Sequence, residues 1–109
     1  MTINTINSSI LVEPTAHPDA RKFIFNDDIR KGEGVTFRTP EECKHVSLAE
    51  ALLQDKGVNE VYFSGNVIMV TATRGMDWMN LESRILGIME EELPGHDPEM
   101  IKDSVPAQL

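Results

Sequence analysis

The chain has 109 residues, of which 40% are apolar, and this suits one domain with a single modest core. Its 18 acidic and 10 basic residues give a formal charge of −8. Such a surface repels phosphate, so we expect neither nucleic acid nor an anionic membrane as a partner. The single cysteine, Cys43, excludes an intramolecular disulfide and a cysteine-only metal site within one chain, and it fits a reducing compartment.

The first third of the chain predicts a flexible start and three strands. Residues 1–9 are polar and lack the basic and apolar regions of a signal peptide, and no apolar run is long enough to span a bilayer, so we expect a cytoplasmic protein. Runs rich in β-forming residues predict strands at residues 10–12, 21–26 and 35–38. Two prolines predict a loop at 15–20, and Gly32 and Gly34 are typical of a turn before the third strand.

The first helix is predicted by the signals at its two ends. Ser47 has the chemistry of an N-cap, and Glu50 follows at the capping-box spacing. Apolar residues then recur at helical spacing, at Leu48, Ala51 and Leu52. Gly57 is typical of the left-handed residue that ends a helix.

A hairpin and a second helix are predicted next. The β-rich runs 58–63 and 67–73 are separated by a short polar turn, which favours antiparallel pairing. Asp77 is placed to cap a helix whose apolar residues keep the helical period, at Trp78, Leu81, Ile85, Ile88 and Met89. Because Trp78 lies on this stripe, core packing is favoured over a partner-facing position.

The order of elements is three strands, a helix, two strands and a helix. Strands and helices do not alternate throughout, so a doubly wound parallel sheet is not expected. The order favours an α+β fold, with a mostly antiparallel sheet of about four to five strands and two helices packed on one face. We assign this domain to residues 10–93, after a flexible N-terminus at 1–9, and assign 94–109 to a tail.

Three separated stretches of the sequence resemble one known protein family. Residues 13–23 are similar to that family's opening EPTPNPNSLKF, with Ala16 and His17 in place of the usual Pro and Asn. Residues 47–52 and 57–63 are similar to its SPLAKALFxIEGVKxVFF. Residues 68–71, 77–78 and 81–88 are similar to its ITVTK, DW and LKxxIL stretches. The family that these stretches resemble is the N-terminal domain of Nfu/NifU iron–sulfur scaffold proteins.

The resemblance implies a role in iron–sulfur cluster assembly or delivery. Longer members of the family hold a cluster with a C-x-x-C pair in a second domain, and a cluster needs about four thiolates. This sequence offers one cysteine, so the cluster-scaffold activity is not expected of it. We expect a non-catalytic accessory domain that recognises assembly or client proteins and has no tightly bound cofactor in isolation. No nucleotide-binding, hydrolase or metalloprotease motif points to an enzyme.

The loop that opens the resemblance is the predicted partner surface, because loops carry recognition more often than strands do. Its two prolines limit its freedom, and no large apolar residue lies between Thr15 and Arg21. The residues assigned to partner binding are Glu13, Thr15, His17, Asp19 and Lys22. The acidic run 90–92 near the end of the second helix is the next candidate, for a basic partner.

The alternative function is iron binding by a dimer. Cys43 and His45 are plausible ligands for iron, two positions apart. Two chains together would supply two thiolates and two imidazoles, for iron or an iron–sulfur cluster. The oligomeric state does not follow from the sequence, and metal analysis of protein purified without oxygen separates the two functions.

Overall fold

The computed structural model describes residues 10–100. Five strands are present: β1 (Leu11–Pro14), β2 (Ala20–Ile24), β3 (Arg30–Phe37), β4 (Val58–Gly65) and β5 (Val67–Ala72). The helices are α1 (Ser47–Leu53) and α2 (Trp78–Glu92), with single 3₁₀ turns at Pro40–Cys43 and Leu93–Gly95. The predicted flexible N-terminus at 1–9 lies outside the described residues, and so does the part of the predicted tail at 101–109.

The sheet confirms the predicted α+β class. Its five strands run in the order β1-β2-β5-β4-β3, and every neighbouring pair is antiparallel. One face carries the buried side chains of Phe23, Phe63 and Ile68, and the fully buried residues of α1 and α2 join them in one core cluster. Both helices therefore cover this face. No helix within residues 10–100 is long and apolar enough to cross a membrane.

The predicted hairpin is confirmed as β4 and β5. Ser64 pairs with Val67, so the turn contains only Gly65 and Asn66, and Gly65 has the positive φ of 57° that such a turn needs. The amide Nδ2 of Asn66 donates to the Phe25 carbonyl at 2.9 Å and ties the turn to the chain that follows β2. A register shift between Val58 and Glu60 lets β4 bury both Val58 and Val61.

Both end signals assigned to the first helix were wrong. Ser47 is the first helical residue rather than the cap, and buried Val46 holds the N-cap position without a side-chain hydrogen bond. At the other end Gly57 does not have a positive φ. The carboxylate Oδ1 of Asp55 instead accepts from the Gly57 N–H at 2.9 Å, which turns the chain into β4. Packing of Val46 and this short side-chain turn set the helix limits.

The glycines before the third predicted strand lie within β3, so their assignment to a turn was wrong. The strand begins at Arg30, with an irregular register between Arg30 and Val35. Gly32 has a φ of 118° in this irregular part, a conformation that glycine adopts at little cost. At Gly34 the ring of Tyr62 occupies the space where a side chain would begin.

The segment after α2 packs against the fold as far as Met100. The Lys31 N–H donates to the Pro98 carbonyl at 2.9 Å, and Met100 is only 6% exposed. Residues 94–100, which the sequence placed in a tail, therefore pack along the start of β3. Asp77 does cap α2 as predicted, because its Oδ1 accepts from the Met79 N–H at 3.0 Å.

Candidate functional site

Three loops meet at one end of the sheet, which we call the loop end: residues 15–19, 54–57 and 73–77. The Ala72 N–H donates to the Asp19 carbonyl at 2.7 Å, joining the first loop to β5. The Thr73 N–H donates to the Gly57 carbonyl at 2.8 Å, joining the second and third loops. The loop end thus combines parts of all three stretches that carry the family resemblance.

The β1–β2 loop is braced by its own side chains. The Thr15 hydroxyl accepts from the His17 N–H at 3.0 Å and lies 3.1 Å from the Ala20 carbonyl, to which it can donate. The His17 ring nitrogen Nδ1 accepts from the Asp19 N–H at 3.1 Å. Because the side chains of Thr15 and His17 form hydrogen bonds with the backbone of the turn, the loop holds its shape without a buried apolar anchor.

The five predicted partner residues divide into two groups. Thr15, His17 and Asp19 lie together in the loop, where His17 is exposed and Thr15 is half-buried within the loop's own hydrogen bonds. Glu13 and Lys22 lie outside the loop as cross-strand neighbours on β1 and β2. Their row continues across the sheet through half-buried Met69 on β5, on the face away from the helices.

The start of α2 adds an exposed apolar group to the loop end. Met79 is 80% exposed, and its neighbour Trp78 is half-buried against Phe23, with 6.5 Å between the ring centroids. The Arg21 guanidinium lies 5.0 Å from the Trp78 ring and pairs with Glu82 at 3.2 Å. Trp78 thus lies at the edge of the core, as its stripe position predicts.

Met79 is a surface group that was not predicted from the sequence. The available signal was its position one residue after Trp78, about 100° around the helix from the core-facing stripe. A large apolar residue at such a position is either isolated or part of a contact surface. Here it lies beside Trp78, whose indole Nε1 is buried and has no hydrogen-bond partner among residues 10–100.

An ion pair fixes the α1–β4 loop to α2. The Arg84 guanidinium donates to both carboxylate oxygens of Asp55, from Nε at 2.8 Å and from Nη2 at 3.0 Å. These hydrogen bonds hold the pKa of Asp55 below its ordinary value. Asp55 also accepts from the Gly57 N–H, so one carboxylate joins the helix, the loop and the start of β4.

The proposed iron ligands do not form a surface site. Cys43 is 0% exposed, and its thiol lies 3.5 Å from the Thr39 carbonyl, to which it donates. His45 packs edge-on against Phe37, with centroids 6.1 Å apart. Within residues 10–100 no group of three or more His, Cys, Asp or Glu side chains is placed to hold a metal. These residues do not fit an iron–sulfur cluster, which binds to accessible thiolates.

Burial raises the pKa of the Cys43 thiol to about 11, and the carboxylates of Glu50, Glu42 and Glu41 add to the shift. In the unfolded chain the thiol ionises near its ordinary value of 9.0. Between these two values the unfolded chain loses the proton that the folded chain keeps, so stability falls as the pH rises.

We expect the free energy of unfolding to fall by about 1–2 kcal/mol more in the wild type than in Cys43→Ala between pH 9 and 11. Denaturant titrations of both proteins at each pH measure this difference, because contributions common to the two proteins cancel. Parallel pH profiles would show that the thiol is accessible to water in the folded state.

Comparison with known proteins identifies the fold. Among solved structures, it is similar to a NifU-like protein from Saccharomyces cerevisiae, with a TM-score of 0.72 and 19% identity over 83% of this chain and 82% of that one. It is also similar to protein SAV1430 from Staphylococcus aureus, with a TM-score of 0.67 and 14% identity over 74% of this chain and 98% of that one. At these identities the structures establish the fold alone.

The sequence itself establishes the family. No curated protein sequence matches the chain significantly. A family profile described as "Scaffold protein Nfu/NifU N terminal" matches residues 10–95, which is nearly all of the described part. The chain therefore belongs to the family of Nfu/NifU scaffold-protein N-terminal domains.

Proposed function

We propose that this chain is a non-catalytic accessory domain that recognises protein partners in iron–sulfur cluster assembly or delivery, and that it does so with the loop end. The observation that carries the proposal is the β1–β2 loop, which is braced internally by Thr15 and His17 yet keeps His17 and Pro18 exposed. In this function the cluster is cargo held by the partner.

The bracing favours binding because it lowers the entropy cost of association. Ordering a flexible side chain at an interface costs about 0.5–1.5 kcal/mol, and ordering backbone costs more per residue. A loop that already has one conformation avoids most of this cost. The same argument applies to the α1–β4 loop, which the pair of Asp55 and Arg84 holds against α2.

Apolar contact at the loop end supports the same proposal. Interfaces draw most of their affinity from a few large side chains surrounded by polar groups. Met79 and the exposed edge of Trp78 offer such side chains beside the charged pair of Arg21 and Glu82. Membership of the Nfu/NifU scaffold-protein N-terminal family supports the choice of iron–sulfur assembly proteins as the class of partner.

Changing His17 and Asp19 together to alanine is expected to weaken partner binding at least about tenfold, or 1.4 kcal/mol. The free energy of unfolding should change by less than about 1 kcal/mol, as is usual at surface positions, because Thr15 still braces the turn. Calorimetric titration of purified iron–sulfur scaffold and client proteins from the same organism measures the affinities, and melting curves measure stability.

The matched control is Lys31→Ala with Glu33→Ala, two exposed residues on β3 far from the loop end. It should leave affinity within about twofold, since surface side chains outside an interface contribute little. Unchanged affinity of the His17 and Asp19 variant, with a marked fall in melting temperature, would show that the loop is a structural brace and would contradict the proposal.

A further inference from the structure

A cleft of about 300 Å³ opens at the end of the sheet opposite the loop end. It lies between the β2–β3 loop and the segment that follows α2, and we call it the acidic cleft. Its lining residues are Phe25, Asn26, Asp27, Asp28, Ile29, Leu93, His96 and Pro98. None of them belongs to the loop end, so its role is independent of the proposed function.

The walls of the acidic cleft are held in place by hydrogen bonds. The His96 ring nitrogen Nε2 lies 2.8 Å from the Ile29 carbonyl, and the Ile29 N–H donates to the Gly65 carbonyl at 2.7 Å. The Lys31 N–H bonds the Pro98 carbonyl on the other side. Because both walls are fixed to the sheet, the cleft does not depend on an occupant for its shape.

The floor and the rim of the cleft differ in chemistry. Phe25 and Ile29 are buried at 6% and 3% exposure, and Leu93 and Pro98 are half-buried, so the floor is apolar. The carboxylates of Asp27 and Asp28 are exposed at the rim. An apolar floor beside exposed carboxylates suits a side chain that carries a long apolar stem and a positive charge.

Within residues 10–100 the carboxylates at the rim have no cationic partner. The ion pairs within residues 10–100 join Arg21 to Glu82, Arg38 to Glu60 and Arg84 to Asp55, all away from the cleft. The nearby Arg30 guanidinium donates to the carbonyls of Glu33 and Glu99 instead. The end of α2 and the segment that follows it contain four more acidic residues, Glu91, Glu92, Asp97 and Glu99.

We propose that the acidic cleft binds a segment of a partner protein that presents lysine or arginine next to an apolar side chain. The apolar side chain and the stem of the cation contact Phe25, Ile29 and Leu93, while the charge lies against Asp27 and Asp28. The volume is at the small end of the range of about 300–1,000 Å³ typical of ligand sites, which suits one or two side chains.

The apolar floor favours such a segment over a metal ion. A divalent cation of the calcium or magnesium type takes about six oxygen ligands, whereas half of the lining side chains are hydrocarbon. The acidic surroundings attract a basic segment at long range and raise its rate of association. The apolar floor then provides contact area that charge alone does not supply.

The test is a nuclear magnetic resonance titration of the ¹⁵N-labelled full chain with the blocked peptide acetyl-Gly-Leu-Lys-Leu-Gly-amide. We expect saturable shifts confined to residues 25–29 and 93–98. Affinity should fall at least about fivefold in Asp27→Asn with Asp28→Asn, as expected when two ion pairs are removed. Replacing the peptide's lysine by acetyl-lysine, or its leucines by alanine, should weaken binding by a similar factor.

The control variant is Glu41→Gln with Glu42→Gln, two exposed residues in the turn after β3, which changes the net charge equally but lies away from the cleft. Its affinity should stay within about twofold of wild type, and amide spectra verify the fold of each variant. Equal losses of peptide affinity in the two variants would show that binding depends only on net charge, and this would overturn the proposal. Chemical shift changes centred outside the cleft would also overturn the proposal. So would a metal site, which would be indicated if Mn²⁺ broadened the signals of residues 25–29 and 93–98 at a concentration that displaces the peptide.

Discussion

Replacing Leu52 or Ile85 by alanine is expected to lower the free energy of unfolding by about 2–5 kcal/mol in each case. Both side chains are 0% exposed, one on each helix, and both belong to the core cluster against the sheet. Alanine removes their buried methyl groups and leaves a cavity that the fixed sheet cannot close. Urea titrations followed by circular dichroism measure the loss.

The matched control for this pair is Met79→Ala on α2. Its side chain is 80% exposed, so the same kind of truncation should change stability by less than about 0.5 kcal/mol. If both core variants lost less than about 1 kcal/mol, the helix faces would be assigned wrongly. A comparable loss in the control would indicate instead that alanine acts through the unfolded state.

Gly57→Ala is expected to cost about 1–3 kcal/mol, the usual range for overpacking. A methyl group at this buried position would lie 2.8 Å from Met76 Cε and 3.0 Å from Leu81 Cδ1. Leu81 is 0% exposed and cannot move without disturbing the core. The Arg84 guanidinium, 3.2 Å from the added methyl, would also be displaced from Asp55.

The same substitution at Gly87 should have the opposite sign. Gly87 lies within α2, is exposed, and has no atom within 4 Å of an added methyl group. Alanine there should raise the free energy of unfolding by about 0.5–1 kcal/mol through its better helix propensity. Thermal melts of the two variants provide the comparison. A stabilised Gly57→Ala would mean that the side chains around it rearrange freely.

Local patterns in the sequence were sufficient for the hairpin and for α2. The pairing of β4 with β5 follows from two β-rich runs around a short turn, and the cap at Asp77 with buried Leu81, Ile85 and Met89 follows from helical spacing. These features depend on residues close together in the chain, so propensity and periodicity are enough to predict them. The α+β class and the family follow from the same local stretches.

Contacts between distant residues decided what the sequence could not. Val46, buried in the core, displaced Ser47 from the N-cap, and Gly57 is small because Met76 and Leu81 lie against it rather than because of its φ. In both cases the residue type suggested a local role, and packing against another element assigned a different one.

Of the two surfaces proposed for binding, one was predictable from the sequence and the other depends on the tertiary structure. Thr15, His17 and Asp19 lie within five consecutive residues, so their common loop was predictable from the sequence. The acidic cleft joins the β2–β3 loop to His96, whose ring lies 2.8 Å from the Ile29 carbonyl across 67 positions of sequence. No local sequence pattern predicts a contact between residues so far apart in the chain. Only the antiparallel sheet and the path of the chain after α2 bring them together.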